Sequence, residues 1–275
     1  LISTLQLKQA RRSRTGEAVV AFEVTDAPLD ITRIKAINAA QKIVDSNLKS
    51  MAADALIDER FRFLTYEISD ILRRLQRKVE RLEAKNNFLS REEQEIFECS
   101  VANSVAEHLR TNVYPRMQEM YLLLAGQPKE LVRCGHLFFR QHLGEFLYRS
   151  PMSERSLAKP LGYAGDYEMM NMLYRDEPLG KGLFAKCIHR SYMDLPAGRA
   201  VRNRAIYLEK RIRKLLAETD GPVKILSVAC GPAAEIQSLC KSLPKKDLLR
   251  LEIHLLDQDL SSLKYAQRSI REATS

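Results

Sequence analysis

The order of apolar segments near the end of the chain constrains the fold more than any other feature. Residues 222–229 (PVKILSVA) predict a strand, 230–234 (CGPAA) a turn of small residues and 235–243 a short helix. A second strand over 251–256 and a second helix from 260 to about 270 complete a β-α-β-α unit. Such a unit opens a parallel α/β sheet, whose first strand we expect to be buried on both faces. The apolar side chains of that strand are Ile225, Leu226 and Val228.

This unit predicts a ligand site at one edge of the sheet, since open parallel sheets bind ligands beyond the carboxyl ends of their strands. Gly231 lies in the first turn, where a residue without a side chain lets a ligand approach the backbone closely. Asp257 follows the second strand, 26 residues after Gly231, where its carboxylate can accept both hydroxyls of a ribose. The dinucleotide fingerprint G-x-G-x-x-G is absent, which disfavours a pyrophosphate cradle and leaves an adenosine-containing ligand open.

Two stretches of this region resemble the motifs of a known family. SVACGPAAE, at 227–235, resembles the first motif of class I S-adenosylmethionine-dependent methyltransferases, and IHLLDQDLSSLKYA, at 253–266, resembles their second. The resemblance implies a Rossmann-like fold and S-adenosylmethionine as cofactor. It also implies which residues hold that cofactor: Ala229, Cys230, Gly231, Pro232, Asp257 and Gln258. The family's usual acid and three glycines appear here with Ser227, Ala229 and Ala233 in place of the acid and two of the glycines.

Two further stretches narrow the resemblance. KPLGYAGDYEMMNMLY, at 159–174, and RAVRNRAIYLEKRI, at 199–212, are similar to a bacterial group that includes the enzyme making 3-hydroxypalmitic acid methyl ester, an extracellular quorum signal. The resemblance implies a small-molecule acceptor, such as the carboxylate of a 3-hydroxy fatty acid, and a regulatory domain upstream. A carboxylate is ionised at neutral pH, so its methylation needs no general base.

Residues 157–174 do not read as ordinary helix packing. They hold two glycines, a proline and three tyrosines, in a chain that has only 11 glycines. This composition favours a loop that lines a ligand, followed by a helix from Tyr167 with Asp166 as N-cap. Lys159 and Tyr163 would then offer a cation and a phenol to a bound anion. The alternative is a structured connector whose tyrosines pack on two domains.

A helix is predicted over 196–218, with Arg199, Arg202 and Arg204 near its start. Positive charge at a helix N-terminus opposes the helix dipole. We therefore add Arg199 and Arg202, with Arg204 as a further candidate, to the residues that hold the acceptor's carboxylate. A solvated basic face is the alternative.

Residues 31–150 predict a helical bundle. Ser90 and Glu93 form a capping-box signature for one of its helices. An apolar stripe runs along another helix, with members three and four residues apart, and indicates helix packing within the chain or between two chains of a homodimer. The stripe consists of Leu64, Ile68, Ile71, Leu72, Leu75, Val79 and Leu82.

The predicted fold class is a mainly α N-terminal helical domain followed by an α/β Rossmann-like methyltransferase domain, of which only the first β-α-β-α is present. A strand at 17–24 suggests the tail of an upstream domain, PilZ-like in type, with a connecting helix at 34–47. The predicted segments are the upstream tail at 1–30, the bundle at 31–150, a helical connector lining the active site at 151–220, and the start of the cofactor-binding domain at 221–275. A full sheet of this family has seven strands and this chain supplies two, so we expect a truncated chain that is inactive alone.

Composition excludes some other classes of function. The net charge is +9, but the basic residues are scattered and no nucleic-acid-binding motif accompanies them. Five cysteines without a C-x-x-C pair argue against disulfides and a zinc site, and the absence of a leader or a membrane-spanning run favours the cytoplasm. A regulatory or scaffold protein, with dimerising helices and a ligand-sensing, non-catalytic methyltransferase-like domain, is the main alternative. A nicotinamide-dependent oxidoreductase is disfavoured by the missing fingerprint.

Overall fold

The computed structural model of the chain describes residues 4–12, 18–25, 56–85 and 88–274. The chain divides into two compact units, residues 1–57 and 58–275, and each is described by itself. The predicted boundaries at 150 and 220 fall inside the second unit, so the finer division into domains stays a prediction. The candidate site lies wholly in the second unit.

The described part of the first unit is an antiparallel hairpin. Strand β1 (Thr4–Arg12) pairs with β2 (Ala18–Thr25), and the register shifts between Leu7 and Gln9. β2 is the strand expected at 17–24, whereas the sequence does not predict β1, because a basic run interrupts its alternation of apolar and polar residues. The helix predicted at 34–47 lies outside the described residues.

Four helices form the first half of the second unit: α1 (Glu59–Ala84), α2 (Arg91–Asn112), α3 (Tyr114–Leu124) and α4 (Lys129–Leu147). Their starts follow from side-chain caps. Asp58 accepts the backbone N–H of Phe61 at 3.1 Å, and Ser90 forms the predicted capping box with Glu93. Pro115 lies in the first turn of α3, where proline fits without loss of a helical hydrogen bond.

The apolar stripe of α1 packs inside the chain. Leu64, Ile68, Leu72 and Val79 are each at most 1% exposed, and α1 lies against α3 and α4. Of the two outcomes expected for the stripe, packing within the chain is the one observed. A homodimer through these helices stays a prediction.

Four more helices follow: α5 (Pro151–Ala158), α6 (Tyr167–Arg175), α7 (Leu183–Met193) and α8 (Pro196–Glu218). The sequence predicts α6 and α8 but not α5 or α7. Eight of the eleven residues of α7 are buried, and its first N–H, that of Leu183, donates to Glu83 of α1 at 2.8 Å. No described helix combines the length and the apolar character that a membrane span needs.

The α/β part consists of β3 (Val223–Val228), α9 (Ala234–Ser242), α10 (Lys245–Leu248), β4 (Leu251–Leu256) and α11 (Leu260–Thr274). The two strands are parallel, with Val223 opposite Leu251 and Val228 opposite Leu256. This arrangement contains the predicted β-α-β-α order, with the short α10 as an addition.

One face of the small sheet is covered and the other is exposed. Ile253 and Leu255 of β4 pack on a core cluster from α9 and α11. On the opposite face, Leu226 and Val228 are each 65% exposed. The expectation that β3 is buried on both faces is therefore wrong in the described structure, because alternate side chains of a strand point to opposite faces and the α9–α11 layer covers one of them.

Candidate active site

A cavity of about 670 Å³ lies beyond the carboxyl ends of β3 and β4. Its α/β wall comprises Val228, Ala229, Cys230, Gly231, Pro232, Leu256, Asp257, Gln258 and Ser262. The wall that faces it comprises Tyr163, Gly165, Tyr167, Met170, Tyr174 and Arg204. The structure thus brings all six residues predicted to hold the cofactor into one lining.

The turn after β3 has a left-handed backbone at every second residue. The φ angle is 54° at Ala229, 55° at Gly231 and 52° at Ala233. Glycine adopts such angles freely, whereas alanine does so at a cost of about 1–2 kcal/mol. The two alanines that stand in place of the family's glycines therefore keep a glycine-type backbone.

Asp257 closes this turn from the end of the neighbouring strand. Its Oδ2 accepts the backbone N–H of Gly231 at 2.8 Å, and its Oδ1 accepts the N–H of Asp259 at 3.0 Å. On the other side of the turn, the hydroxyl of Ser262 donates to the carbonyl oxygen of Gly231 at 2.8 Å. Because both polar groups of Gly231 are held, the turn has a fixed geometry beside the cavity.

Two titratable groups in the lining stay neutral at physiological pH. Burial, followed by the negative charge of Asp257, raises the pKa of the Cys230 thiol to about 11. Burial, followed by the carboxylate of Asp259, raises the pKa of the Tyr163 phenol to about 12. Neither the thiol nor the phenol is therefore a ready general base near pH 7.

Half of the residues of the facing wall lie on one side of α6. Tyr167, Met170 and Tyr174 are spaced three and four residues apart, which places them on one face of the helix. Asp166, only 2% exposed, caps α6 by accepting the N–H of its third residue at 3.0 Å. Both oxygens of Asp166 also accept the Nε–H of Arg155, at 2.7 and 2.8 Å. This buried charge pair fixes where the aromatic face begins.

The loop before α6 touches the α/β wall. The Tyr163 hydroxyl donates to Oδ2 of Asp259 at 3.2 Å, while Oδ1 of the same carboxylate accepts the N–H of Ser261 at 2.8 Å. The ring of Tyr167 in the facing wall also contacts the ring of Tyr265 in α11 in a tilted arrangement, with ring centroids 5.3 Å apart. These contacts join the two walls across the cavity.

Of the four residues predicted to hold the acceptor, Tyr163 lines the cavity and the others lie outside its described lining. Lys159 and Arg199 are exposed. Arg202 donates to the last carbonyl of α7 at 3.0 Å and pairs with Asp176 at 3.2 Å. The guanidinium of Arg202 thus joins neighbouring segments of the fold, and the cavity gives no support to its predicted role or to those of Lys159 and Arg199.

The sequence favours a ligand-lining role for residues 157–174, and five of the six residues of the facing wall lie in that stretch. Within it, however, Tyr163 is the only residue of this wall that the sequence singles out as a ligand contact. The signal was present, since Tyr167, Met170 and Tyr174 show the helical spacing within YEMMNMLY. Arg204 was one of three neighbouring arginines, and their order alone does not tell which one faces a cavity.

The lining fits a ligand that contains a ribose. A Cβ placed on Gly231 would meet no protein atom within 4 Å, so its backbone is open to close approach. Each oxygen of Asp257 accepts one N–H and keeps capacity for a further donor. The N-cap residue of α9, Ala233, provides no side-chain hydrogen bond, and the first turn of this helix already holds the buried carboxylate of Glu235, which accepts a backbone N–H. Among the residues that the structure describes, no cluster suited to a metal ion is found.

Comparison with known proteins identifies the family. A family model described as "Putative methyltransferase" matches residues 115–271. The matched range is more than half of the chain and contains every residue of the described cavity lining. No curated protein and no solved structure matches the chain. By its match to this model, the chain belongs to this family of methyltransferases.

Proposed function

We propose that this protein is a class I, S-adenosylmethionine-dependent methyltransferase acting on a small-molecule acceptor in the cytoplasm. The observation that carries the proposal is the closed turn, in which Asp257 accepts the N–H of Gly231 at 2.8 Å at the edge of a cavity large enough for a ligand. In this arrangement the acid after β4 and the turn after β3 act on the same ligand.

The lining suggests a role for each cofactor-binding residue. Asp257 would accept the ribose hydroxyls, Gly231 would allow the methionine part to lie against the backbone, and Gln258 would border the adenine. The start of α9, which follows the turn directly, would border the methionine part. When bound, the cofactor supplies an electrophilic methyl group, and the chain's own residues orient the acceptor beside it and exclude water.

The acceptor is proposed to be a carboxylate, such as that of a 3-hydroxy fatty acid, which would give a signalling methyl ester. The protonation states of two lining side chains support this choice of acceptor. Cys230 and Tyr163 have pKa values raised to about 11 and about 12, so neither readily takes a proton at pH 7. A nucleophile that is already ionised needs neither group as a proton acceptor, and this favours a carboxylate.

The proposal extends to a longer protein. Leu226 and Val228 expose the face of β3 that strands and helices of a complete methyltransferase domain would cover. We propose that residues 1–275 are part of a truncated domain and do not catalyse alone. The bacterial quorum-sensing role rests on the resemblance of residues 159–174 and 199–212.

A second candidate is a regulatory protein that senses the cofactor without turnover. Ala229 and Ala233 at left-handed angles favour it, because their methyl groups border a turn where the family uses glycine. Cofactor binding without methyl transfer by the full-length protein would support this alternative over an enzyme.

Calorimetric titration of S-adenosylmethionine and S-adenosylhomocysteine into the full-length protein tests the proposal. We expect micromolar binding, weakened at least about tenfold in Asp257→Asn, which keeps the shape of the side chain but loses the charge and one of the two oxygens that accept backbone N–H groups. Asp220→Asn is the matched control, since Asp220 is an exposed carboxylate before the opposite end of β3. A wild-type protein that binds neither compound would refute the proposed function.

A further inference from the structure

We propose that Arg204 and the Tyr167–Met170–Tyr174 face of α6 form the acceptor half of the site, and that they select a small acceptor with one carboxylate and an apolar body. This inference rests on the proposed function and moves the acceptor away from Lys159, Arg199 and Arg202. It names the class of acceptor from the charges and surfaces of the cavity.

The charged residues of the lining favour an acceptor that carries one anionic group. Arg204 and Asp257 are the charged residues in the described lining. Asp257 already accepts two backbone N–H groups. The guanidinium of Arg204 forms no hydrogen bond or ion pair with any described residue, and its interaction is a longer-range one with the carboxylate of Glu235. A cation left without a close partner beside a cavity can bind a carboxylate through two parallel hydrogen bonds.

The position of Arg204 on α8 separates it from the other two arginines. Arg202 is engaged with the end of α7 and with Asp176, and Arg199 is exposed outside the described lining. Two residues correspond to about 200° around a helix, so Arg204 faces away from Arg202. The cavity therefore receives one of the three guanidinium groups.

The apolar body of the acceptor has a matching surface. Tyr167, Met170 and Tyr174 present two rings and a thioether along one face of α6. Aromatic rings bind alkyl chains and flat rings through burial of apolar area, and a methionine adapts its shape to either. Asp166, paired with Arg155, fixes the start of this face.

The cofactor has a carboxylate of its own, which could compete for Arg204. The start of α9 has no N-cap side chain, but its first turn already holds the buried carboxylate of Glu235, so the assignment of Arg204 rests on its own position in the fold. Arg204 belongs to the helical wall that faces the turn, together with the rings of α6. We therefore assign Arg204 to the acceptor, and this assignment can be tested separately from the cofactor site.

The test uses the full-length protein saturated with S-adenosylhomocysteine, and octanoate and 1-octanol as probes of equal chain length. Ligand-observed NMR should give octanoate a dissociation constant at least about tenfold below that of octanol, the range expected for a charge-assisted hydrogen-bonded pair at a partly open site. Arg204→Met should abolish this preference. Arg199→Met, a change of the same type on the same helix, should retain it.

Binding of nucleosides separates the acceptor from the cofactor. Arg204→Met should leave the affinities for S-adenosylhomocysteine and for 5′-methylthioadenosine, which lacks the carboxylate, unchanged. Loss of affinity for the first compound alone would assign Arg204 to the cofactor and overturn the inference. It would equally be overturned by a preference for octanoate that persists in Arg204→Met, or by a wild-type protein that binds S-adenosylhomocysteine but shows no preference for octanoate. Failure of the wild type to bind any nucleoside would instead refute the proposed function and this inference with it.

Discussion

Replacing Ala229 by glycine should stabilise the second unit, although it removes a methyl group. The φ angle of Ala229 is 54°, a conformation that costs an alanine about 1–2 kcal/mol. Glycine avoids this cost but has more freedom in the unfolded chain, which offsets about 0.4–1 kcal/mol of the gain. Ala229 is exposed, so little packing is lost. The free energy of unfolding should rise by roughly 0.5–1 kcal/mol.

Two neighbours in the same turn serve as controls for this reasoning. Ala233 has a φ of 52° but is fully buried, and losing its methyl group from the core costs about 0.8 kcal/mol. Ala233→Gly should therefore leave stability nearly unchanged. Gly231→Ala reverses the argument, since φ is 55° and the new Cβ meets no protein atom. It should lower the free energy of unfolding by about 1 kcal/mol.

Urea unfolding, with thermal melting as a second assay, measures all three variants against the wild type. For a unit of this size, 1 kcal/mol corresponds to about 2–4 °C in Tm. The expected order of Tm is Ala229→Gly above wild type, Ala233→Gly close to it and Gly231→Ala below. A Tm for Ala229→Gly that is equal to or lower than that of the wild type would refute the claim that the turn holds alanines at a left-handed cost.

Three other perturbations test the helical part of the second unit. Gly198→Ala should destabilise by more than about 2 kcal/mol, because its Cβ would lie 2.7 Å from a backbone carbonyl oxygen. Gly135→Ala should cost under about 1 kcal/mol, because its Cβ meets the end of a flexible leucine side chain at 2.8 Å. Equal losses of unfolding free energy in urea would contradict this difference. Asp166→Ala should lower the free energy of unfolding by about 2–4 kcal/mol, since it removes the cap of α6 and leaves Arg155 without its partner. Asp166→Asn should cost less. A lower urea midpoint for Asp166→Asn than for Asp166→Ala would contradict a stabilising role of the Asp166–Arg155 pair. Burial lowers the pKa of His189 to about 4, so the unfolded chain binds a proton that the folded chain excludes, and stability falls as pH drops from about 6.5 to 4. His189→Gln should reduce this loss by up to roughly 3 kcal/mol at pH 4, and parallel pH profiles of wild type and variant would contradict the assignment.

Helices that begin at a local capping or proline signal were predictable from the sequence. Pro196 in the first turn of α8 and the capping box at Ser90 mark helix starts without help from the rest of the fold. α7 carries no such signal. It is buried on nearly all sides, so the periodic contrast between an apolar and a polar face is lost. Its first N–H is satisfied by Glu83, 100 residues away in the chain, and such a contact cannot be read from the local sequence.

The same difference separates the two walls of the candidate site. Gly231 and Asp257 follow directly after strands of a parallel sheet, so the order of elements already places them at one edge. The residues of the facing wall depend on which way each helix is rotated. Arg202 and Arg204 differ by two positions, yet the first binds the end of α7 and the second lines the cavity. That rotation is set by packing between helices, and without it the sequence pointed to Arg199 and Arg202 and left Arg204 as a further candidate.

Each wall of the site is fixed by hydrogen bonds of its own. Gly231 is bonded through both its N–H and its carbonyl oxygen, and the start of α6 is fixed by the buried carboxylate of Asp166. Across the cavity, the hydrogen bond from Tyr163 to Asp259 is longer, at 3.2 Å, and a bond of this kind contributes on the order of 1–3 kcal/mol. The distance between the walls therefore rests on this bond, on the contact between the rings of Tyr167 and Tyr265, and on the hydrogen bond from Ser238 of α9 to Glu209 of α8. Under the proposed function, this distance sets the room for an acceptor beside the cofactor, so a change at any of these contacts should alter which acceptors are used without altering the turn or Asp257.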